Sequence, residues 1–230
     1  MCRLIASTLL TLILGATATA SVIGVHGRTR PLITTTRKPF GDTPDGAVET
    51  VSADRTKKAI KLSNRGLMKL KAGRTLEASI DFDSAIRADA GYVPAWMHRG
   101  IIEAKMENYR AAIRYYDRAI KLNPAFAAGY QSRGLAHQKI GNNKLALADF
   151  TSAINHDPKL YEAYLKRGLI YGQAGRFENC IADNTRAIKL RPEGPTAYFN
   201  RAAALQRMGR DEEAERDFAK AKTLGRGLKR

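Results

Sequence analysis

An arginine followed by a small residue returns every 34 residues along this chain. The pairs are Arg65–Gly66, Arg99–Gly100, Arg133–Gly134, Arg167–Gly168 and Arg201–Ala202. Other small residues keep step with them: Ala78, Ala112, Ala146, Cys180 and Ala214, then Ala85, Ala119, Ala153, Ala187 and Ala221. A fixed period of this length is the mark of a solenoid. No single unit can bury its apolar face alone, so neighbours must stack and the core must run through the stack.

Each unit reads as two helices. In residues 93–126, Trp96, Ile101 and Ala104 lie along one side of the first half. Ala112, Ile113, Tyr116, Ala119 and Ile120 recur at helical spacing in the second. Pro124, like Pro158 and Pro192, ends the second helix, because proline has no N–H and clashes with the preceding turn. Gly73, Gly141, Gly175 and Gly209 mark the turn between the helices. The glycine at the eighth place and the alanine at the twentieth are expected to face each other where the two helices cross. Aromatic residues at the fourth place (Trp96, Tyr130, Tyr164, Tyr198) and the twenty-fourth (Phe82, Tyr116, Phe150, Phe218) are expected to fill the space beside them.

This combination resembles the tetratricopeptide repeat: aromatic, glycine, alanine, aromatic, alanine and proline at set offsets within 34 residues. The resemblance implies an all-α, right-handed α-solenoid of five helix-turn-helix units, at 59–92, 93–126, 127–160, 161–194 and 195–228. Departures are local: Leu62 and Ala90 in the first unit, Asn184 in the fourth, Ala202 and Arg226 in the fifth. The charged residues of the last helix, from Arg210 to Lys222, suit it to face water, so no separate capping helix is expected. Cys180 takes an alanine place and reads as a small buried filler.

The seventh place is arginine in every unit, and the twenty-third is Asp81, Asp149, Asp183 or Asp217, with Tyr115 the exception. These places fall on opposed helices, so each arginine is expected to pair with the aspartate of its own unit. The alternative is that the arginines point to solvent. A charge buried there would need such a partner.

Ahead of the repeats, Arg3 precedes an apolar run from Leu4 to Gly15, followed by Ala18-Thr19-Ala20. This is the layout of a signal peptide cleaved after Ala20. An uncut anchor is the alternative, since no charge falls between Leu4 and Val25. Either reading exports the repeats, to a bacterial periplasm or cell envelope. Residues 21–51, broken by Pro31, Pro39 and Pro44, read as a flexible spacer. Residues 52–58 read as an extension of the first helix, capped by Ser52 or Asp54.

No nucleophile elbow, phosphate loop or metal-ligand spacing occurs, so neither catalysis nor a cofactor or metal is expected. In tetratricopeptide-repeat proteins the first helices line a concave groove for an extended peptide or a helix. The resemblance places Asn64, Leu67, Lys71, Met97, His98, Ile101, Lys105, Gln131, Leu135, Gln138 and Lys139 in that groove. It adds Leu165, Lys166, Leu169, Gln173, Phe199, Asn200, Gln206 and Arg207. Lys71, Lys105, Lys139 and Arg207 repeat at the thirteenth place as a basic ladder, suited to a protein or peptide with apolar and acidic groups. The residues that grip a chaperone tail's carboxylate in one branch of the family do not match here. The net charge of +17 would also suit nucleic acid, but the export signal and the lack of aromatic stacking platforms argue against it.

Overall fold

A computed structural model describes residues 45–227, and within them every regular element is a helix. The first helices of the units are α1 (Asp45–Lys71), α3 (Val93–Lys105), α5 (Ala127–Lys139), α7 (Tyr161–Gln173) and α9 (Pro195–Arg207). The second helices are α2 (Thr75–Ala88), α4 (Tyr109–Leu122), α6 (Asn143–His156), α8 (Phe177–Leu190) and α10 (Asp211–Gly227). The apolar run at 4–25, its cleavage site and most of the spacer lie outside the described residues.

The start of α1 corrects two expectations. The spacer was expected to reach residue 51 and the helix to be capped at Ser52 or Asp54, yet the helix begins at Asp45. Pro44 is the last strong helix breaker before the repeats, and a single glycine at 46 does not stop a helix. The extension is tied to its own unit, because Thr56 Oγ1 donates to Asp89 Oδ2 at 2.7 Å beyond the end of α2.

The turns have two recurring forms. Within units, Gly73, Gly141, Gly175 and Gly209 adopt φ of 71–80°, which an L residue with a Cβ adopts at a cost. The second unit has Glu107 there, at φ 61°. Between units, at three of the four seams, the side chain of the residue after the second helix accepts a hydrogen bond from the backbone two residues on; Arg191 after α8 has no acceptor to offer. Gly91 N–H donates to Asp89 Oδ1 at 2.8 Å, Ala125 N–H to Asn123 Oδ1 at 3.1 Å, and Lys159 N–H to Asp157 Oδ1 at 2.9 Å. Such side chains set the turn that proline then fixes.

The core is continuous across the seams. Ala78, Phe82, Ala112, Tyr116, Ala146 and Phe150 are buried from the second helices. Opposite them the eighth-place glycines leave no room. A Cβ on Gly100 would lie 2.5 Å from Tyr116 Cε1, and one on Gly66 or Gly134 would lie 3.0 Å from the Phe82 or Phe150 ring. Each following unit docks through its third and tenth places. Ala95, Ala163 and Ala197 at the third are wholly buried, and Ile102 at the tenth packs with Phe82 and Ala78 of the unit before.

Candidate partner-binding groove

First helices touch across three of the four seams, α1 with α3, α3 with α5 and α7 with α9. Successive second helices are held apart by them. The first helices therefore form the inner layer of the repeat array. That layer also holds the charge. Residues 59–228 carry 29 basic and 18 acidic residues, an excess of 11. The five first helices, counted from residue 59, hold 12 of those basic residues and only two acidic ones, Glu103 and Glu162. The second helices and turns are left with 17 and 16, close to neutral.

The seventh-place arginines do not point into the groove. Arg65, Arg133, Arg167 and Arg201 each make a two-pronged pair with the aspartate of their own unit. In Arg133 the Nε donates to Asp149 Oδ2 at 3.0 Å and an Nη to Asp149 Oδ1 at 2.6 Å. The same guanidinium reaches back 16 residues to the unit before: Arg133 to Asp117 at 2.6 Å, Arg167 to Thr151 at 3.1 Å, Arg201 to Thr185 at 3.0 Å. One side chain thus joins three helices. In the second unit, where Tyr115 replaces the aspartate, Arg99 bonds Asp83 at 3.0 Å and Glu103, and stacks over the Tyr115 ring at 5.0 Å. Pairing with Asp149 raises the pKa of Arg133, and Arg65 holds the Asp81 carboxyl below the usual carboxylate range.

The groove residues divide by depth. Asn64, Lys71, Lys105, Lys139, Gln173, Phe199, Gln206 and Arg207 are exposed. Leu67, His98, Ile101, Gln131, Leu135, Gln138, Lys166, Leu169 and Asn200 are half-buried. Met97 and Leu165 are a correction. At 8 % and 7 % exposed they lie in the core, because the fifth place sits beneath the first helix of the following unit. Leu67, Ile101 and Leu135 also pack partly against core clusters. Lys71, Lys105, Lys139, Lys166 and Arg207 have no acidic partner within 4 Å among the described residues.

Six of these residues are brought together between α7 and α9. Leu169, Gln173, Phe199, Asn200, Gln206 and Arg207 line a cleft of about 540 Å³. Phe177, Cys180, Ala203 and Ala204 complete its wall, and Arg207 lies 5.6 Å over the Phe177 ring. Phe177 was missed in the sequence because it belongs to a second helix, at its first residue. A smaller depression of about 280 Å³ is lined by His98 and Met97 with Pro94, Asn123 and Phe126. His98 stacks on Phe82 with ring centroids 5.1 Å apart, and burial lowers its pKa. Among the described residues no group of three His, Cys, Asp or Glu could hold a metal, and no helix is long and apolar enough to cross a membrane.

Models of the tetratricopeptide repeat match residues 93–126, 161–193 and 195–224. No curated protein matches the chain by sequence. Among solved structures, MamA from Desulfovibrio magneticus RS-1 is 25 % identical, with a TM-score of 0.67 over 74 % of this chain and 96 % of that one. Another MamA crystal structure is 23 % identical, with a TM-score of 0.66 over 71 % and 95 %. YrrB, described as a TPR protein with an unusual peptide-binding site, is 18 % identical, with a TM-score of 0.63 over 77 % and 92 %.

Proposed function

The chain belongs to the tetratricopeptide-repeat family, and from that premise we propose that it is an exported scaffold that holds an acidic, partly apolar segment of a partner protein in its inner groove. A fold of this kind serves protein–protein interaction, and its members bind proteins or peptides. The observation that carries the finer reading is the row of uncompensated cations: once the seventh-place arginines are paired, Lys71, Lys105, Lys139 and Arg207 still have no acidic partner within 4 Å among the described residues. Lys71, Lys105, Lys139 and Arg207 raise the local concentration of an acidic segment and orient it. The cleft between α7 and α9 offers Leu169, Phe177 and Phe199 to its apolar anchors, and such anchors carry most of the affinity in interfaces of this size. The peptide-binding site in the description of YrrB supports the same use of the fold. No catalytic step is assigned to the chain.

Export rests on the charged start, apolar run and small-residue site of residues 1–20. Recovery of the mature protein with Ser21 at its N-terminus, in the soluble exported fraction, supports a free scaffold. An intact Met1 in the membrane fraction makes it a tethered assembly factor instead.

The groove is tested with a labelled peptide that alternates Glu with Leu and Phe, titrated with the full chain at low and high salt. Binding is expected to weaken with salt and to fall by at least about tenfold when Lys71, Lys105, Lys139 and Arg207 are all changed to Glu. Equal affinity in that variant overturns the groove. A stronger response from single-stranded RNA brings nucleic acid forward.

A further inference from the structure

The fifth unit is the most open: at the fifth place Gln131 of the third unit is half-buried and those of the first, second and fourth units are covered more fully. At the fifth place Ser63, Met97 and Leu165 are 1 %, 8 % and 7 % exposed, whereas Phe199 is 57 % exposed. At the twenty-fourth place Phe82, Tyr116, Phe150 and Asn184 are buried, and Phe218 is only half-buried. The Phe199 and Phe218 rings meet edge to face at 5.5 Å. With Pro195, Thr196, Ala221 and Lys222 they line a shallow depression of about 430 Å³ on the end of the array. Lone apolar side chains on a surface are ordinary, but a pair of aromatic rings in a shaped recess marks a contact site.

The covered seams show what fits there. A first helix lays its small third residue on the twenty-eighth-place isoleucine of the unit before. A Cβ on Gly129, for instance, would lie 3.0 Å from Ile120. Its tenth residue lies on the twenty-fourth-place ring, as Ile102 does on Phe82. At the open end the twenty-eighth place is no longer isoleucine. Ile86, Ile120, Ile154 and Ile188 give way to Lys222, which is exposed and has no acidic partner within 4 Å among the described residues. A helix seated here in the same register sets its third residue against that ammonium group.

A second copy of this chain does not suit the site. Stacked in register, its third place is Lys61, which would face Lys222 with like charge. Its Arg65 would meet Ala219, where the arginines at the other seams find Asp83, Asp117, Thr151 and Thr185. The two ends of the array therefore oppose head-to-tail growth, which a heterologous contact would otherwise propagate.

We propose that the open end of the fifth unit is a docking face for one amphipathic helix of a partner protein, which carries an acidic residue seven places before a large aliphatic one. The acid pairs with Lys222 and the aliphatic side chain covers Phe218 and Phe199, so the partner completes the stack as a sixth first helix. Apolar anchors spaced along one helix face are a common way for a helix to dock in a groove. The site lies beside the groove but does not depend on it. Phe199 is shared, whereas Lys222 belongs to the end face alone.

The probe is a labelled alanine-based helical peptide with Glu at its third place and Leu at its tenth, titrated with the full chain by fluorescence anisotropy. Lys222→Glu is expected to weaken it by about tenfold, and the same peptide with Lys at its third place is expected to bind this variant better than the wild type. Lys144→Glu, the same charge change on an exposed residue of α6 away from both surfaces, is expected to leave the affinity unchanged, and a loss in Arg207→Glu as large as that in Lys222→Glu would put the peptide in the groove and overturn the proposal. No binding of the Glu peptide, or equal binding by wild type and Lys222→Glu, overturns the proposal. So does a dimer in light scattering that Phe199→Ser dissolves, since a second copy would then cover the face. A crosslink from Lys222 to Lys38 within the monomer also overturns it, by seating the chain's own N-terminal segment there.

Discussion

Arg133 gathers in one side chain what holds a repeat to itself and to its neighbour. Its side chain is 22 % exposed and its guanidinium spans Asp149 and Asp117, on two different second helices, while Asp149 is buried. Removing the arginine leaves a buried carboxylate without its partner, which costs about 3–5 kcal/mol when burial is complete and less here. A double-mutant cycle of Arg133→Met and Asp149→Leu in chemical denaturation is expected to give a coupling of about 0.5–3 kcal/mol. Additivity of the two changes would reduce the pair to decoration. Gly100 is a purely steric case. A methyl group there meets the Tyr116 ring at 2.5 Å, so Gly100→Ala is expected to cost about 1–3 kcal/mol in the same assay, despite its better helix propensity. His98 gives the array a pH dependence of definite sign. Burial against Phe82 holds its folded pKa below 6.5, so the native state favours the neutral ring. The stability it contributes is complete above pH 6.5 and is lost as pH falls through that value toward the depressed one. His98→Gln is expected to flatten the melting temperature between pH 7 and pH 5, and an unchanged slope would move the effect elsewhere.

At the scale of the helix and its turn, the sequence was legible wherever one residue type is forced by one local geometry. The prolines at 124, 158 and 192 and the four turn glycines mark helix ends because a missing N–H or a positive φ admits few alternatives. The position of Glu107 at φ 61° was not legible, because the residue keeps its place through the repeat's geometry and against its own preference. Glu107→Gly is expected to stabilise the protein by about 1 kcal/mol, with relief of the left-handed backbone outweighing the freedom glycine adds to the unfolded chain. A lower melting temperature in that variant would show that the Glu107 side chain has a use the turn does not reveal. The groove was legible in its charged rim and illegible at its floor. The thirteenth-place cations are exposed by any reading of the helix. Whether a fifth-place residue is groove or core depends on the unit stacked upon it. That is why Met97 and Leu165 are buried while Phe199, of the same place, is open. Unit four shows a coupled departure. Asn184 in the aromatic place donates to Cys180 O at 2.8 Å, one turn away on α8, so the two unusual residues share one pocket of the core.

For the repeat array taken together, stability is a sum over units and the seams between them, so the ends decide how it begins to unfold and what it sticks to. The N-terminal end is closed by an α1 that runs 14 residues ahead of the first unit and by Lys61 in the place where later units are small. The C-terminal end is closed by charge alone, through Lys222 beside the exposed Phe199 ring and the half-buried Phe218 ring. Deleting residues 195–230 tests this arrangement, because it removes α9 and α10 and leaves the fourth unit last. Four units still suffice for a cooperative core, and the denaturant slope should fall by about a fifth, in proportion to the surface no longer buried. The new end differs from the old one in the residues that oppose a second copy. It exposes Leu165 and Ile188 where the full chain has Phe199 and Lys222. Lys61 of a second copy would then meet an aliphatic side chain in place of a like charge and Arg65 would meet Thr185 in place of Ala219, so the charge bar to head-to-tail stacking would be gone and only the bulk of Lys61 would oppose it. The truncated chain is expected to show a concentration-dependent mass in light scattering where the full chain does not. Restoring the charge as Ile188→Lys is expected to abolish that association. A truncated chain that stays monomeric would mean that Lys222 guards nothing, and that the end of the array is set by packing alone.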